Sequence, residues 1–367
     1  MHHMDSSLQI DVTPTDRPVA PERLEEILAS PGFGLHFTDH MYVVEWTPEK
    51  GWHDARVTPY APLSLDPATA VLHYAQEIFE GMKAYRHEDG SVWTFRPEEN
   101  AARMQRSSQR LALPELPVED FVASVDALVR ADERWVPQPA GEKSLYIRPF
   151  MFASEVFLGV RPSQHVTYLV IASPAGAYFS KGPKPVSIWL SEDYTRAGRG
   201  GMGAAKTGGN YASSLVAQQE ATTEGCDQVV FLDASEGRHV EELGGMNLYF
   251  VHDDGSIVTP ATSGTILEGI TRSSIIELCG KLGHSVEERP FTIDEWRDGV
   301  ASGRITEVFA CGTAAVVTPV GELKWRGGSV GGGDADAGPI TTEVRTALVD
   351  IQYGRAEDTF GWMHRVV

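Results

Sequence analysis

Between Pro174 and Pro185 the sequence reads PAGAYFSKGPKP, with three prolines and two glycines. No regular element is expected to run through such a stretch, because proline removes a backbone donor and fixes φ while glycine loosens the chain. The chain is therefore read as two bodies. Residues 1–173 form an N-terminal mixed α/β domain, 174–185 a linker, and 186–367 a C-terminal domain that carries a candidate catalytic lysine. The length of 367 residues agrees, being more than one hydrophobic core usually serves.

Before the divide, strand-like runs at 35–46, 52–60, 73–85 and 91–96 surround the turn Glu88-Asp89-Gly90. A short helix is expected at 21–29 and longer ones at 97–113 and 118–135. In the last of these Phe121, Val125, Leu128 and Val129 recur at helical spacing. Strands follow at 144–152 and 166–173. Beyond the divide, strands are expected at 186–190, 227–232, 247–252, 307–310 and 314–317, with helices at 210–221, 269–282, 294–302 and 341–351. The glycines at 327–333 read as a flexible loop. Runs of strands beside helices argue a mixed α/β, or α+β, fold.

Charge and cysteine usage exclude several functions. With 31 Lys and Arg against 51 Asp and Glu, the net charge of -20 repels nucleic acid and anionic membranes. No run of 18 apolar residues suggests a membrane span. Cys226, Cys279 and Cys311 are far apart and form no C-x-x-C. Neither a disulfide framework nor a metal site is expected, which suits a reducing cytoplasm.

Against that background one lysine stands apart. Lys206 lies in GGMGAAKTGGNY, Gly200 to Tyr211, among residues too small to shield it. It sits just before the helical pattern that begins at Asn210. A helix N-terminus is electropositive and favours a neutral, nucleophilic amine, and such an amine condenses with aldehydes. The same run nearly spells a phosphate-binding loop, with Ala205 in place of the second glycine. That loop needs a hydrophobic strand before it, and Asp193 to Arg199 are polar. Nucleotide binding at Gly200–Thr207 is the rival reading from another functional class.

A pyridine aldehyde held by Lys206 needs a carboxylate at its ring nitrogen. Its phosphate needs amides and an arginine, and its ring oxygen a hydroxyl donor. Glu241 and Glu242, ahead of two glycines, offer the carboxylate. Ile270 and Thr271 at a helix start, and Thr313 and Ala314 after Gly312, offer amides. Arg103 lies on a basic helix, Tyr211 follows the lysine, and Tyr146 and Arg148 alternate onto one strand face. Taken singly, each has a more ordinary reading: a solvated acid, a plain helix start, a turn, a surface arginine, a tyrosine packed on Leu215.

Taken in order, these segments fit one pattern. LHFTDHMYVVEW (35–46), HYAQEIFEGMKAY (73–85), RMQRSSQRL (103–111), SLYIRP (144–149), GAYF (176–179), KTGGNY (206–211), EELGGMN (241–247), LEGITR (267–272), CGTAAVVTPV (311–320) and QYGRAED (352–358) span nearly the whole chain. On these motifs the chain resembles the branched-chain amino acid aminotransferases, pyridoxal 5′-phosphate enzymes of fold type IV. The resemblance implies two domains with the cofactor between them, a homodimer, a cytoplasmic location and ping-pong transamination of leucine, isoleucine and valine with 2-oxoglutarate. It implies that Lys206 is the Schiff-base lysine and the acid/base, that Glu242 pairs with the ring nitrogen, and that Tyr211 bonds the ring oxygen. Arg103, Ile270, Thr271 and Thr313 would hold the phosphate. Phe37, Tyr74, Phe79, Tyr146 and Tyr178 would wall the substrate pocket. Arg148, expected to keep some water, would meet the side-chain carboxylate of glutamate, and the Thr313 and Ala314 amides the α-carboxylate.

D-Amino acid transaminases and aminodeoxychorismate lyases share that fold, but they are shorter, and Tyr146-x-Arg148 with EELGGMN argues against them. One departure stands out. Relatives of this length often carry a C-x-x-C redox pair just after the GTA motif, where this chain has Ala315 and Thr318.

Overall fold

The computed structural model describes residues 8–176, 184–331 and 337–367. In chain order the elements are β1 (Asp11–Val12), α1 (Pro21–Ala29), β2 (His40–Thr47), β3 (Gly51–Pro59), α2 (Val71–Tyr74), β4 (Glu77–Phe79), β5 (Met82–Arg86), β6 (Val92–Phe95), α3 (Pro97–Arg110), α4 (Val118–Ala131), β7 (Ser144–Ala153) and β8 (Val166–Ala175). Then come β9 (Val186–Leu190), α5 (Gly208–Ala212), α6 (Leu215–Thr223), β10 (Gln228–Leu232), β11 (Val240–Leu243), β12 (Asn247–His252), β13 (Ile257–Pro260), α7 (Ile270–Leu282), β14 (Val286–Arg289), α8 (Ile293–Ser302), β15 (Ile305–Gly312), β16 (Val316–Trp325), β17 (Gly328–Gly331), α9 (Pro339–Gln352) and β18 (Met363–Arg365).

Contacts divide the chain into two units: Met1–Tyr178 with Ala205–Gly208 and Ile351–Val367, and Phe179–Ala204 with Gly209–Asp350. The lysine turn, expected in the C-terminal domain, thus clusters with the first unit. The reason is local: the Lys206 N–H donates to Ser107 Oγ at 3.0 Å, and its carbonyl accepts from the Phe79 N–H at 2.9 Å.

The sheet of the first unit runs β1-β3-β2-β8-β7-β5-β6-β18, with β4 also paired to β7. Its pleat sorts side chains by period two. In β7, Leu145, Ile147 and Met151 point one way, and Tyr146, Arg148, Phe150 and Phe152 the other. Register carries the division across strands, with Phe79 opposite Phe150, Glu77 opposite Phe152 and Lys83 opposite Tyr146. The first face is the core: Ile78, Leu145, Ile147, Met151 and Tyr168 pack with Met104 of α3 and Phe121, Val125 and Leu128 of α4. Truncating a ring such as Phe121 to Ala there costs about 3–5 kcal/mol. The opposite face has a smaller apolar cluster, Met41, Val43, Phe152 and Leu169, and also carries Glu77, Phe79, Tyr146 and Arg148.

The sheet of the second unit runs β11-β10-β9-β16-β15-β12-β13-β14, with β17 paired to β16. Its core centres on Phe250, whose ring stacks on Phe291 at 3.9 Å and meets Trp296 edge-on. Helix α8 has a capping box between Thr292 and Glu295, and it ends on left-handed Gly303.

Several expected elements differ. The run 73–85 is not one strand: Ala75 turns left-handed at φ 49 after α2, and β4 and β5 follow. The helix expected at 210–221 is split into α5 and α6. At the break the Ser213 and Ser214 hydroxyls donate back to the carbonyls of Asn210 and Tyr211, the local competition that makes serine a poor helix-interior residue. Part of the expected glycine loop, Gly328–Gly331, is a strand paired with β16. Residues 177–183, within the expected linker, lie outside the described residues.

Candidate active site

In the first unit, Phe79 is the platform. Its ring carries the Lys206 ammonium 4.9 Å from its centroid and the Arg148 guanidinium at 4.8 Å, both within cation–π range. Arg148 is half-buried, as expected, and donates to the Tyr146 hydroxyl at 3.0 Å. Its Nε is buried and has no hydrogen-bond partner among the described residues. The Tyr146 ring meets Phe33 edge-on at 5.0 Å. Lys206, Phe79, Tyr146 and Arg148 are therefore brought together. Phe37 is 37% exposed and stacks on Tyr60, while Tyr74 is 40% exposed and its hydroxyl donates to the Leu158 carbonyl. Tyr178 lies outside the described residues.

Arg103 is buried against Glu80, donating from Nε at 2.8 Å and Nη2 at 2.7 Å to the two carboxylate oxygens. Glu80 also accepts from the Asn100 amide at 2.7 Å. Burial alone would push the Glu80 carboxyl up, but the Arg103 charge and hydrogen bonds, with Lys206 further off, hold it below the usual glutamate value.

In the second unit, Glu242 is not a loop acid but a buried residue of strand β11. Its Oε1 pairs with Arg196 Nη1 at 2.7 Å and accepts the Leu267 N–H at 2.8 Å. Glu241, next along the strand, is also buried, and its carboxylate accepts from the Thr265 hydroxyl. Period two sends the two carboxylates to opposite faces, where each finds its own partner. The Tyr211 ring packs over Gly245, while Leu215 is 66% exposed.

Helix α7 begins at Ile270 after Gly269, which has no side chain to cap it, although Ile270 and Thr271 are only 8% and 7% exposed. Uncapped, sheltered amides at a helix start suit a phosphate. The start is fixed by Asn247, whose amide donates to the Leu267 carbonyl at 3.1 Å. Gly269 must be glycine, because a Cβ there would strike the Asn247 side chain. Asn247 also pairs across the sheet with Cys311, so the turn Thr313–Ala315 between β15 and β16 is tied to the same strand end.

Each unit by itself carries groups of the kinds pyridoxal 5′-phosphate needs: the first an amine on an aromatic platform and a buried arginine, the second a buried carboxylate, a tyrosine against a glycine and sheltered amides at a helix start. Sequence reasoning missed the partners Glu80, Arg196, Ser107 and Asn247. Glu80 had a signal, a lone carboxylate inside the apolar run IFEGM. Arg196 and Asn247 had none. All three cysteines are buried, and burial pushes the Cys279 and Cys311 thiols up to about 12. Among the described residues no cluster of His, Cys, Asp or Glu could hold a metal ion, and no helix is long and apolar enough to cross a membrane.

Known proteins match the chain throughout. The profile of the class IV aminotransferases matches residues 77–323. A probable branched-chain-amino-acid aminotransferase of Streptomyces coelicolor is 59% identical over 97% of this chain and 98% of its own. The crystal structure of the Escherichia coli branched-chain amino acid aminotransferase superposes with a TM-score of 0.75 at 28% identity, covering 90% of this chain and 99% of that one. The branched-chain amino acid aminotransferase of Thermobaculum terrenum, in its PLP-form, superposes at 0.72 with 26% identity, over 89% and 98%.

Proposed function

The chain belongs to the class IV aminotransferase family, and from that premise we propose that it moves the amino group between L-leucine, L-isoleucine or L-valine and 2-oxoglutarate. The products are the branched 2-oxo acids and L-glutamate. The observation that carries this reading is Arg148 lying over the Phe79 ring with its hydrogen bond to Tyr146, on the same platform as Lys206. Rings suit a branched apolar side chain, and a guanidinium with a tyrosine hydroxyl suits a carboxylate. One pocket then serves both half-reactions of a ping-pong cycle.

Bound pyridoxal 5′-phosphate supplies a carbonyl that exchanges with amines and a ring that draws electrons from the substrate Cα. Lys206 Nζ takes the Cα proton and returns it in the reverse direction. Glu242, fixed by Arg196 and the Leu267 N–H, holds a proton at the ring nitrogen. Tyr211 donates to the ring oxygen. Arg103, the amides of Ile270 and Thr271, and Thr313 hold the phosphate. The Thr313 and Ala314 amides take the substrate α-carboxylate. Phe79 and Tyr146 wall the side-chain pocket; Phe37 and Tyr74 are assigned to the same wall and, being exposed, also to the assembly surface.

We assign a homodimer to the exposed apolar side chains of the first unit: the Phe37–Tyr60 stack, Leu63, and Leu72 with Tyr74 and Leu158. Exposed apolar groups in such number mark an association surface. The cytoplasm is the proposed location, since free buried thiols and a net charge of -20 suit it. The test of function is direct: the purified protein has a visible absorbance band and makes glutamate from leucine and 2-oxoglutarate. No glutamate from any of the three branched substrates would overturn the reading.

A further inference from the structure

We infer that Glu77 tunes the charge of the Arg148 pocket and so sets how strongly the site prefers a dicarboxylate over a branched apolar acid. The inference rests on the assignment of Arg148 to the side-chain pocket. Glu77 and Phe79 are two apart on β4, so both point to the face that carries Tyr146 and Arg148. The Phe79 ring holds the Arg148 and Lys206 cations, at 4.8 and 4.9 Å. The Glu77 carboxylate is pinned beside them, accepting from the Thr207 hydroxyl at 3.2 Å and from the Gly208 N–H. Gly208 leaves it room, since a Cβ there would strike the Glu77 carboxylate. Burial raises the Glu77 pKa, while the Gly208 and Thr207 hydrogen bonds and the Arg148 charge act against that rise.

A fixed anion beside Arg148 has two consequences. It weakens the pull of Arg148 on an arriving side-chain carboxylate. It also lowers the cost of leaving the guanidinium without a substrate partner while an apolar side chain fills the pocket. Glu77→Gln removes the charge but keeps the shape and an acceptor for the Gly208 N–H. Glu77→Asp keeps the charge.

The test is calorimetric binding of two non-reacting acids, glutarate and 4-methylpentanoate, to the holoenzyme. Glu77→Gln is expected to tighten glutarate about 3- to 10-fold and to weaken 4-methylpentanoate by no more than about twofold, while Glu77→Asp keeps the wild-type ratio. The tightening is expected to vanish when Arg148→Gln is also present. Unchanged glutarate binding in Glu77→Gln, or an equal change for both acids, overturns the inference, the second outcome marking a purely structural role. If Arg148→Gln alone leaves glutarate binding unchanged, the assignment of Arg148 fails. If it weakens glutarate while Glu77→Gln does nothing, only the inference about Glu77 fails.

Discussion

The two faces of the first sheet treat an arginine in opposite ways. On the helix-covered face Arg103 is buried, and both Glu80 oxygens receive its hydrogen bonds. On the other face Arg148 is half-buried among rings, with a hydrogen bond to Tyr146 and an Nε that has no partner among the described residues. A fully buried cation needs a permanent counter-charge, so Arg103 suits a fixed anchor for a group that stays. A half-solvated cation can wait for a carboxylate that comes and goes. The second unit repeats the first solution in Arg196 and Glu242.

The largest expected effect tests whether chemistry sits where the two faces meet Lys206. Lys206→Ala should cut transamination by about 10³- to 10⁴-fold or more and abolish the visible band. The fold should survive, because the turn consists of small residues; circular dichroism checks this. Turnover near wild type would remove Lys206 from the mechanism.

Glu242→Gln tests the fixed pair of the second unit. An amide supports a protonated ring nitrogen poorly, so the barrier should rise by about 3–5 kcal/mol, read as kcat. A change below about threefold would end that assignment.

Glu80→Gln strikes the fixed pair of the first unit, where the expected damage is to stability. Leaving Arg103 without its counter-charge should cost about 3 kcal/mol in denaturant unfolding. The Glu80 pKa is depressed in the folded chain, so its stabilisation is present above the ordinary glutamate range and is lost as pH falls through the folded value. Wild type should therefore lose stability below about pH 4 more steeply than the variant. Equal slopes would contradict the account of the pair. Arg148→Gln, on the half-solvated side, should change stability by less than about 1 kcal/mol.

The same contrast explains what the sequence makes legible. Helices α3, α4, α7 and α8 have apolar residues at helical spacing, and α8 adds a capping box that arises within a few residues, while strands β9 and β12 are continuous β-forming runs. Lys206 is visible because small residues surround it. The buried role of Glu242 is hidden, since two adjacent glutamates read as solvated until Arg196, far upstream, neutralises one of them. Glu80 and Arg103 are each readable as charged residues, but their pairing depends on α3 lying over the sheet. The break in the helix after Tyr211 depends on two serines choosing backbone carbonyls within their own turn. Short strands such as β11 and β17 gain their identity from the neighbours they pair with.

The central claim is that one pocket takes a branched side chain and a carboxylate in turn, with Arg148 serving the second. The most direct measurement is single-turnover kinetics of the two half-reactions in Arg148→Gln, followed by the visible absorbance of the holoenzyme. The glutamate half-reaction should lose about 1–3 kcal/mol, the worth of a charge-assisted hydrogen bond, while the leucine half-reaction stays within about twofold. An equal loss in both would contradict the account and make Arg148 a structural residue of the first sheet.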